Sequence, residues 1–289
     1  MDIAVFFQCL FNGLAIGGIY ALVAAGFTLV LGTMKIFNFA QGEIYMLGAF
    51  VSYWCVEVLH LHYALAVLAS FLAMALLGVI LQRFIIRYTY GGFFHTVLAT
   101  IAFATLVRQT AVITFGKTDR FMNPVVRGRL EMGDIMIPNE KILLIFLGIV
   151  MILLLHYFMK LKVGKAMRAV TEDQEVAGLQ GINSRKIFII TMALGCGLAG
   201  ISGAIIAPVL GATADMGHGI FIKILLVIII GGMGSMPGAL LAAFLIGQIE
   251  SFGYQFVGGH NELLLLCCLI PILFLRPGGL LGKPLAIPE

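Results

Sequence analysis

Long stretches without formal charge alternate with short polar segments along this chain. Residues 3–34, 88–107, 142–159, 187–214 and 224–249 contain no Asp, Glu, Lys or Arg, and 58–82 is broken only by His60 and His62. A bilayer-spanning helix needs about 17–25 apolar residues, so the pattern predicts membrane helices over 5–31, 62–82, 93–115, 142–159 and 187–211. Outer-membrane barrel strands would instead alternate over segments of about ten residues. Two regions are less regular. Thr33 to Glu43 is too polar for a lipid-facing helix, so 33–57 is either a full pass or partly re-entrant. Region 218–257 is interrupted by Gly231-Gly232-Met233-Gly234-Ser235-Met236-Pro237-Gly238. Its first part, 218–232, reaches only about 22 Å, short of the ~30 Å hydrocarbon core. It is either a re-entrant half-helix or one of two helices meeting at an internal break. A last segment, 261–276, contains Pro271. The expected fold is all-α: a polytopic membrane protein forming one domain over 1–289, with about 8–9 membrane segments and interrupted helices.

Composition narrows the function. Hydrophobic residues make up 61% of the chain, charged residues 11%, and mean hydropathy is +1.07. Soluble domains run near 45–50% apolar and about 25% charged. An ordinary cytosolic enzyme or a nucleic-acid reader is therefore excluded. Glycine is abundant, with 35 of 289 residues. Gly13, Gly17, Ala21 and Ala25 recur every fourth residue, as do Gly195, Ala199, Gly203 and Ala207, which lets neighbouring helix backbones approach. Residues 1–34 lack a basic start and run too long for a signal peptide, so they read as a first membrane helix. Loop 160–186 carries six basic residues, and Arg83, Arg87, Arg276 and Lys283 flank other turns. Basic residues favour the cytoplasmic side, which makes 116–141 a periplasmic loop although it holds five basic residues itself. If 33–57 is one full pass, the N-terminus lies outside. The run Gly32, Met34, polar break, Gly42 is echoed by Gly231, Met233, break, Gly238, as an internal repeat or a chance match.

Catalytic and cofactor motifs are missing. There is no G-x-x-x-x-G-K-[ST], no G-x-S-x-G, no H-E-x-x-H and no Cys/His array. No metal and no cofactor are expected. The five cysteines lie in apolar runs, and the scattered histidines have no metal-ligand spacing. The loop Lys162 to Asn183 is more informative. Met167, Val170, Ala177 and Leu179 make it less polar than a solvated connector needs to be. A short helix ending at Gly181, with apolar and charged faces, suits docking into a groove on another protein.

Here the chain resembles a known family. Met167-Arg168-Ala169…Glu172-Asp173…Ala177…Gly181-Ile182-Asn183 is similar to the coupling loop of permeases in ATP-binding-cassette importers for branched-chain and other hydrophobic amino acids, the LivH type. Asn12-Gly13…Gly17-Gly18-Ile19-Tyr20-Ala21-Leu22…Gly26 resembles the family's first helix. Asn38-Phe39-Ala40-Gln41-Gly42-Glu43…Met46-Leu47-Gly48-Ala49 resembles its second segment, with Gln41 where the family often has His. Gly231-Gly232-Met233-Gly234-Ser235…Pro237-Gly238 and Arg276-Pro277-Gly278-Gly279-Leu280-Leu281-Gly282 agree as well.

The resemblance implies a permease subunit in the bacterial inner membrane. Its partners would be a LivM-like second permease or a second copy of this chain, two ATP-binding subunits, a periplasmic substrate-binding protein and membrane lipid, with no nucleic acid. ATP hydrolysis would occur on the separate subunits. The coupling candidates are Gly164, Arg168, Glu172, Asp173, Glu175, Ala177 and Gly181. Glu172 and Asp173 would contact the ATPase or cap a helix start. Ionisable residues inside a membrane mark functional sites, which singles out Glu43 and Arg108, as a pair or separately. Tyr20, Thr28, Asn38 and Gln41 would line the pathway or bond neighbouring helices. Gly13, Gly17, Gly42, Gly234 and Pro237 serve helix packing or helix breaks. Loop 116–141 would dock the binding protein or cover the permease. The competing class is an ion-gradient-driven secondary transporter of a small polar solute, in which the coupling loop would have no purpose.

Overall fold

The computed structural model describes residues 3–116, 118–123, 125, 128–132, 135–258, 265, 267, 271, 274 and 278–281. Apolar sequence becomes helix almost throughout. Helix α1 (Ile3–Met34) is followed by an irregular stretch, 35–40, and then by α2 (Gln41–Tyr53). A π-helical turn, Trp54–Val58, extends α2. Helix α3 (Tyr63–Leu81) continues through a second π-helical turn, Gln82–Ile86, into the single turn α4 (Arg87–Thr89). Then come α5 (Phe93–Phe115), strands β1 (Arg129–Met132) and β2 (Ile135–Pro138), and α6 (Asn139–Phe158). The polar segment after α6 forms α7 (Lys162–Glu172) and α8 (Gln174–Leu179). The chain returns through α9 (Ser184–Leu210), α10 (Met216–Gly231) and α11 (Met236–Val257).

Among the described residues, six helices are long and apolar enough to span a bilayer: Val5–Met34, Tyr63–Thr89, Phe93–Phe115, Asn139–Phe158, Ser184–Leu210 and Met236–Phe256. Helices α2 and α10 are shorter. Segment 33–57 is thus no single uniform pass, because α1 runs to Met34 and α2 starts only after the break. Region 218–257 is two helices meeting at a break, 232–235. The expected final segment, 261–276, falls largely outside the described residues. So do Arg276, Pro277, Gly282, Lys283, His260 and Cys268. Residues 278–281 pack back on the end of α10, where the Leu280 and Leu281 amides donate to the Ile230 and Gly231 carbonyls at 2.7 and 3.2 Å. Pro208 lies inside α9, two residues before its end at Leu210.

Helix α1 is the axis of the bundle. It packs along α11, α9, α6 and α10, whereas α9 also holds α2 and α3. Small residues make this possible. A Cβ on Gly17 would lie 2.9 Å from the Phe244 Cα of α11, and one on Gly48 would lie 2.3 Å from the Gly200 oxygen of α9. Ala21, Ala25, Ala199 and Ala207 are fully buried in the same seams. Interhelical hydrogen bonds add to the packing: Ser202 donates to the Ile19 carbonyl (3.1 Å), Ser70 to Gly48 (3.0 Å) and Ser251 to Cys9 (2.7 Å).

The two ends of the bundle differ. At one end lie the start of α1, the end of α5, the hairpin and the start of α6. There Lys141 donates to Asn12 (2.8 Å) and the Glu57 carboxylate accepts from the Asn123 amide (2.7 Å). At the other lie the end of α1, α4, α7, α8 and the α10–α11 break. The antiparallel hairpin β1–β2, with Arg129 opposite Pro138, is a small non-helical element that the apolar pattern did not reveal.

Candidate functional site

Two places gather the polar groups. The first is where α2 and α10 begin, within the bundle. After Met34 the chain turns with Lys35 at a positive φ of 54°, and Asn38 then organises the entry into α2. Its Oδ1 accepts from the Ala40 amide (3.2 Å), and its Nδ2 donates to Gln41 Oε1 (3.2 Å). Gln41 Nε2 donates to the Gly195 carbonyl of α9 at 2.8 Å. Both side chains are buried and serve the break itself.

Two residues further, Glu43 is buried in the first turn of α2, and its Oε2 has no hydrogen-bond partner among the described residues. It lies against the first turn of α10. A Cβ on Gly217 would be 2.6 Å from that oxygen, and one on Gly42 would be 2.2 Å from the Gly217 carbonyl. Only glycine at both positions lets the two helix starts meet. Arg108 of α5 does not pair with Glu43. It forms an ion pair with Asp215, the residue before α10, and both act electrostatically on Glu43. On the isolated chain these two side chains are 41% and 78% exposed. Below them, Phe221 of α10 meets Phe39 (5.1 Å between ring centres) and Phe27 (6.2 Å), and Phe27 meets Phe37 (6.0 Å).

Tyr20 and Thr28 are not part of this group of charges. Tyr20 donates to Glu250 Oε2 of α11 (2.5 Å), and Lys223 of α10 donates to Glu250 Oε1 (2.5 Å). This buried set ties α1, α10 and α11 together. Thr28 is buried, with its hydroxyl unpartnered among the described residues. Asp215, Lys223 and Phe221 escaped the sequence reading. A signal existed for Asp215, a lone acid immediately before an apolar run, where helix-capping acids commonly sit.

The second place is α7–α8. Glycine at 164 allows α7 to leave α6 sharply, since a Cβ there would lie 2.5 Å from the Met159 Cα. Arg168 donates to the Met159 carbonyl and reinforces the same corner. The loop is two helices, not one. Asp173 separates them and caps α8, accepting from the Glu175 and Val176 amides at 2.8 and 3.0 Å. Helix α8 ends in a Schellman motif: Gly181, at φ +82°, donates to Gly178, and Ile182 donates to Ala177. Met167, Val170 and Ala177 face inward on this chain itself, so much of the loop's apolar character is spent on its own bundle. Glu172, Glu175, Val176 and Leu179 point outward, Leu179 being 89% exposed.

The base of this unit touches the end of α1 and the α10–α11 break. Thr171 lies 3.4 Å from Thr33 at the end of α1. Gly234, in the α10–α11 break, approaches Gly32. Ser235 caps α11, and Pro237 occupies its first turn. Between them is an open cavity of about 680 Å³ whose lining mixes apolar residues such as Leu31 and Met233 with Lys35, Arg168, Glu172 and Ser235. On the flank, the Tyr90 hydroxyl donates to Gln174 (3.3 Å) and its ring packs on Phe188. Burial pushes the Tyr90 phenol up from its ordinary value, so it stays a neutral donor. Gly13 and Gly17 lie instead on the α11 seam, against Gln248 and Phe244. Among the described residues, no group of three or more His, Cys, Asp or Glu could hold a metal ion.

The family profile described as branched-chain amino acid transport system / permease component matches residues 9–275. This chain belongs to that family. The permease BraD of the high-affinity branched-chain amino acid transport system of Pseudomonas aeruginosa is 29% identical, over 96% of both chains. The corresponding LivH of Escherichia coli is 26% identical, again over 96% of both. A solved structure, PsaBC from Streptococcus pneumoniae in complex with Fab, shares the fold. It has a TM-score of 0.50 and 14% identity, covering 92% of this chain and 91% of that one. As a member of the permease family, the chain is a multi-pass membrane protein.

Proposed function

We propose that this chain is the membrane permease subunit of an ATP-binding-cassette importer that carries a branched-chain or related hydrophobic amino acid from periplasm to cytoplasm across the bacterial inner membrane. Family membership and the BraD and LivH relatives support the substrate class. The observation that carries the mechanism is α7–α8: an outward tip of Glu172, Glu175, Val176 and Leu179 on a base that touches α1 and the α10–α11 break. A push on that tip reaches the end of α1, and through the 35–40 stretch reaches the start of α2. The α7 end therefore faces the cytoplasm and two ATP-binding subunits, with Gly164 to Gly181 as the docking unit. The hairpin end faces the periplasm and the substrate-binding protein.

A second permease completes the pathway. Charged groups inside a bilayer face a protein interior or a water-filled cavity, not lipid. Arg108 and Asp215 are exposed on the isolated chain, so a LivM-like partner or a second copy covers them, and the pathway runs past Glu43, Arg108 and the phenylalanines toward the cavity beside α7.

Glu172→Lys tests the coupling. The variant is expected to insert and assemble, yet to lose substrate uptake and substrate-stimulated ATP hydrolysis in proteoliposomes. Wild-type uptake in Glu172→Lys would reject the docking role. Uptake by this chain without any nucleotide-hydrolysing partner would reject the importer reading altogether.

A further inference from the structure

We propose that Glu43 is the ligand for the substrate's ammonium group, an inference that rests on the permease reading above. The carboxylate is 6% exposed, and Oε2 has no hydrogen-bond partner among the described residues. A buried ionised group without a bonded partner is strongly unfavourable. Such a group is expected where it receives a ligand. The neighbours do not satisfy it. Asn38 and Gln41 bond one another, and Gln41 also bonds the Gly195 carbonyl. The Arg108 guanidinium is engaged by Asp215. A single primary ammonium beside Oε2 would supply both the missing hydrogen bond and the opposite charge.

The surroundings fit the rest of an amino acid. The bare backbones of Gly42 and Gly217 leave no Cβ between Glu43 and the first turn of α10. Helix starts favour negative charge, so the amides of that turn offset the carboxylate before substrate arrives and suit the substrate's own carboxylate afterwards. One turn along α10, the partly exposed Phe221 and Phe39 provide an aromatic wall, backed by the buried Phe27. That wall accepts an aliphatic or aromatic side chain, and its ring faces tolerate a passing cation.

The test uses the complete importer in proteoliposomes, with its second permease, ATP-binding subunits and binding protein, and with leucine as substrate. Glu43→Gln keeps the shape and removes the charge. It is expected to cut leucine uptake about tenfold or more while binding-protein-stimulated ATP hydrolysis persists. Glu43→Asp is expected to recover part of the uptake. In equilibrium binding to the complex without its binding protein, isoamylamine should displace labelled leucine from the wild type but not from Glu43→Gln. Isocaproate, which lacks the ammonium, should displace it from neither. Wild-type uptake in Glu43→Gln, or isocaproate competing as well as isoamylamine, would overturn the assignment while leaving the permease reading intact. Joint loss of uptake and stimulated hydrolysis in Glu43→Gln, unrepaired in Glu43→Asp, would make the carboxylate a structural group and also overturn it. A wild-type importer that hydrolyses ATP but carries no leucine would remove the branched-chain reading, and this inference with it.

Discussion

Lys223, Glu250 and Tyr20 form a buried polar set whose role is to hold three helices. Removing one member of a buried ion pair strands the other, at a cost of about 3–5 kcal/mol, whereas replacing both with apolar groups is often neutral. Lys223→Met is therefore expected to lower the thermal midpoint of the purified protein sharply, and Lys223→Met with Glu250→Leu to restore most of it. A double variant as unstable as the single one would show that the charges themselves are needed. This set also shows what sequence conveys at single-residue resolution. Glu43 and Arg108 stand out because acids and bases are rare in apolar runs. That Arg108 pairs with Asp215, 107 residues later, and that Tyr20 finds Glu250, 230 residues later, follows only from how the helices pack. No local pattern encodes it.

Helix breaks were easier to read than helix partners. Clustered glycines at 231–238 and the polar run 33–43 announce interruptions, because neither can present a continuous apolar surface to lipid. The division of the coupling segment was only half legible: Asp173 could be read as a capping acid, but the separate helix α7 before it was not expected. The π-helical turns after α2 and α3 carry no comparable signal, and strands of four residues such as β1 and β2 are too short to show a period. The cap yields a prediction. Asp173→Ala should destabilise α8 by about 1 kcal/mol, loosen the tip and reduce coupled uptake, while Asp173→Asn should keep both. Equal uptake in the two variants and the wild type would mean that the ATPase contact does not depend on an ordered α8. The corner at Gly164 is less forgiving. Gly164→Val should disrupt the α6–α7 junction, seen as lower yield of folded protein, because the added atoms would meet the Met159 backbone.

At the scale of the molecule, the exposed Arg108–Asp215 pair makes a prediction about assembly. Thr105, three residues before Arg108 on the same face of α5, is exposed in the isolated chain. A cysteine placed there should react with maleimide in the lone subunit and be protected in the assembled importer. Equal labelling in both would place the second permease elsewhere. Membrane class was legible from length and hydropathy alone, because the bilayer imposes it; the expected 8–9 segments were not, since the described residues hold six helices of spanning length and α2 and α10 are shorter. Nor was the order of the helices in space. Helix α1 shows why. It is the most enclosed element, yet its principal neighbours, α9 and α11, begin only at Ser184 and Met236. During synthesis α1 is thus made well before its principal companions. Until then its glycine-lined seams and the Tyr20 hydroxyl sit in lipid or in the insertion machinery. Nascent chains cut before residue 236 should be cleared by membrane proteases, and the final folding step should be the closing of α9, α10 and α11 around α1.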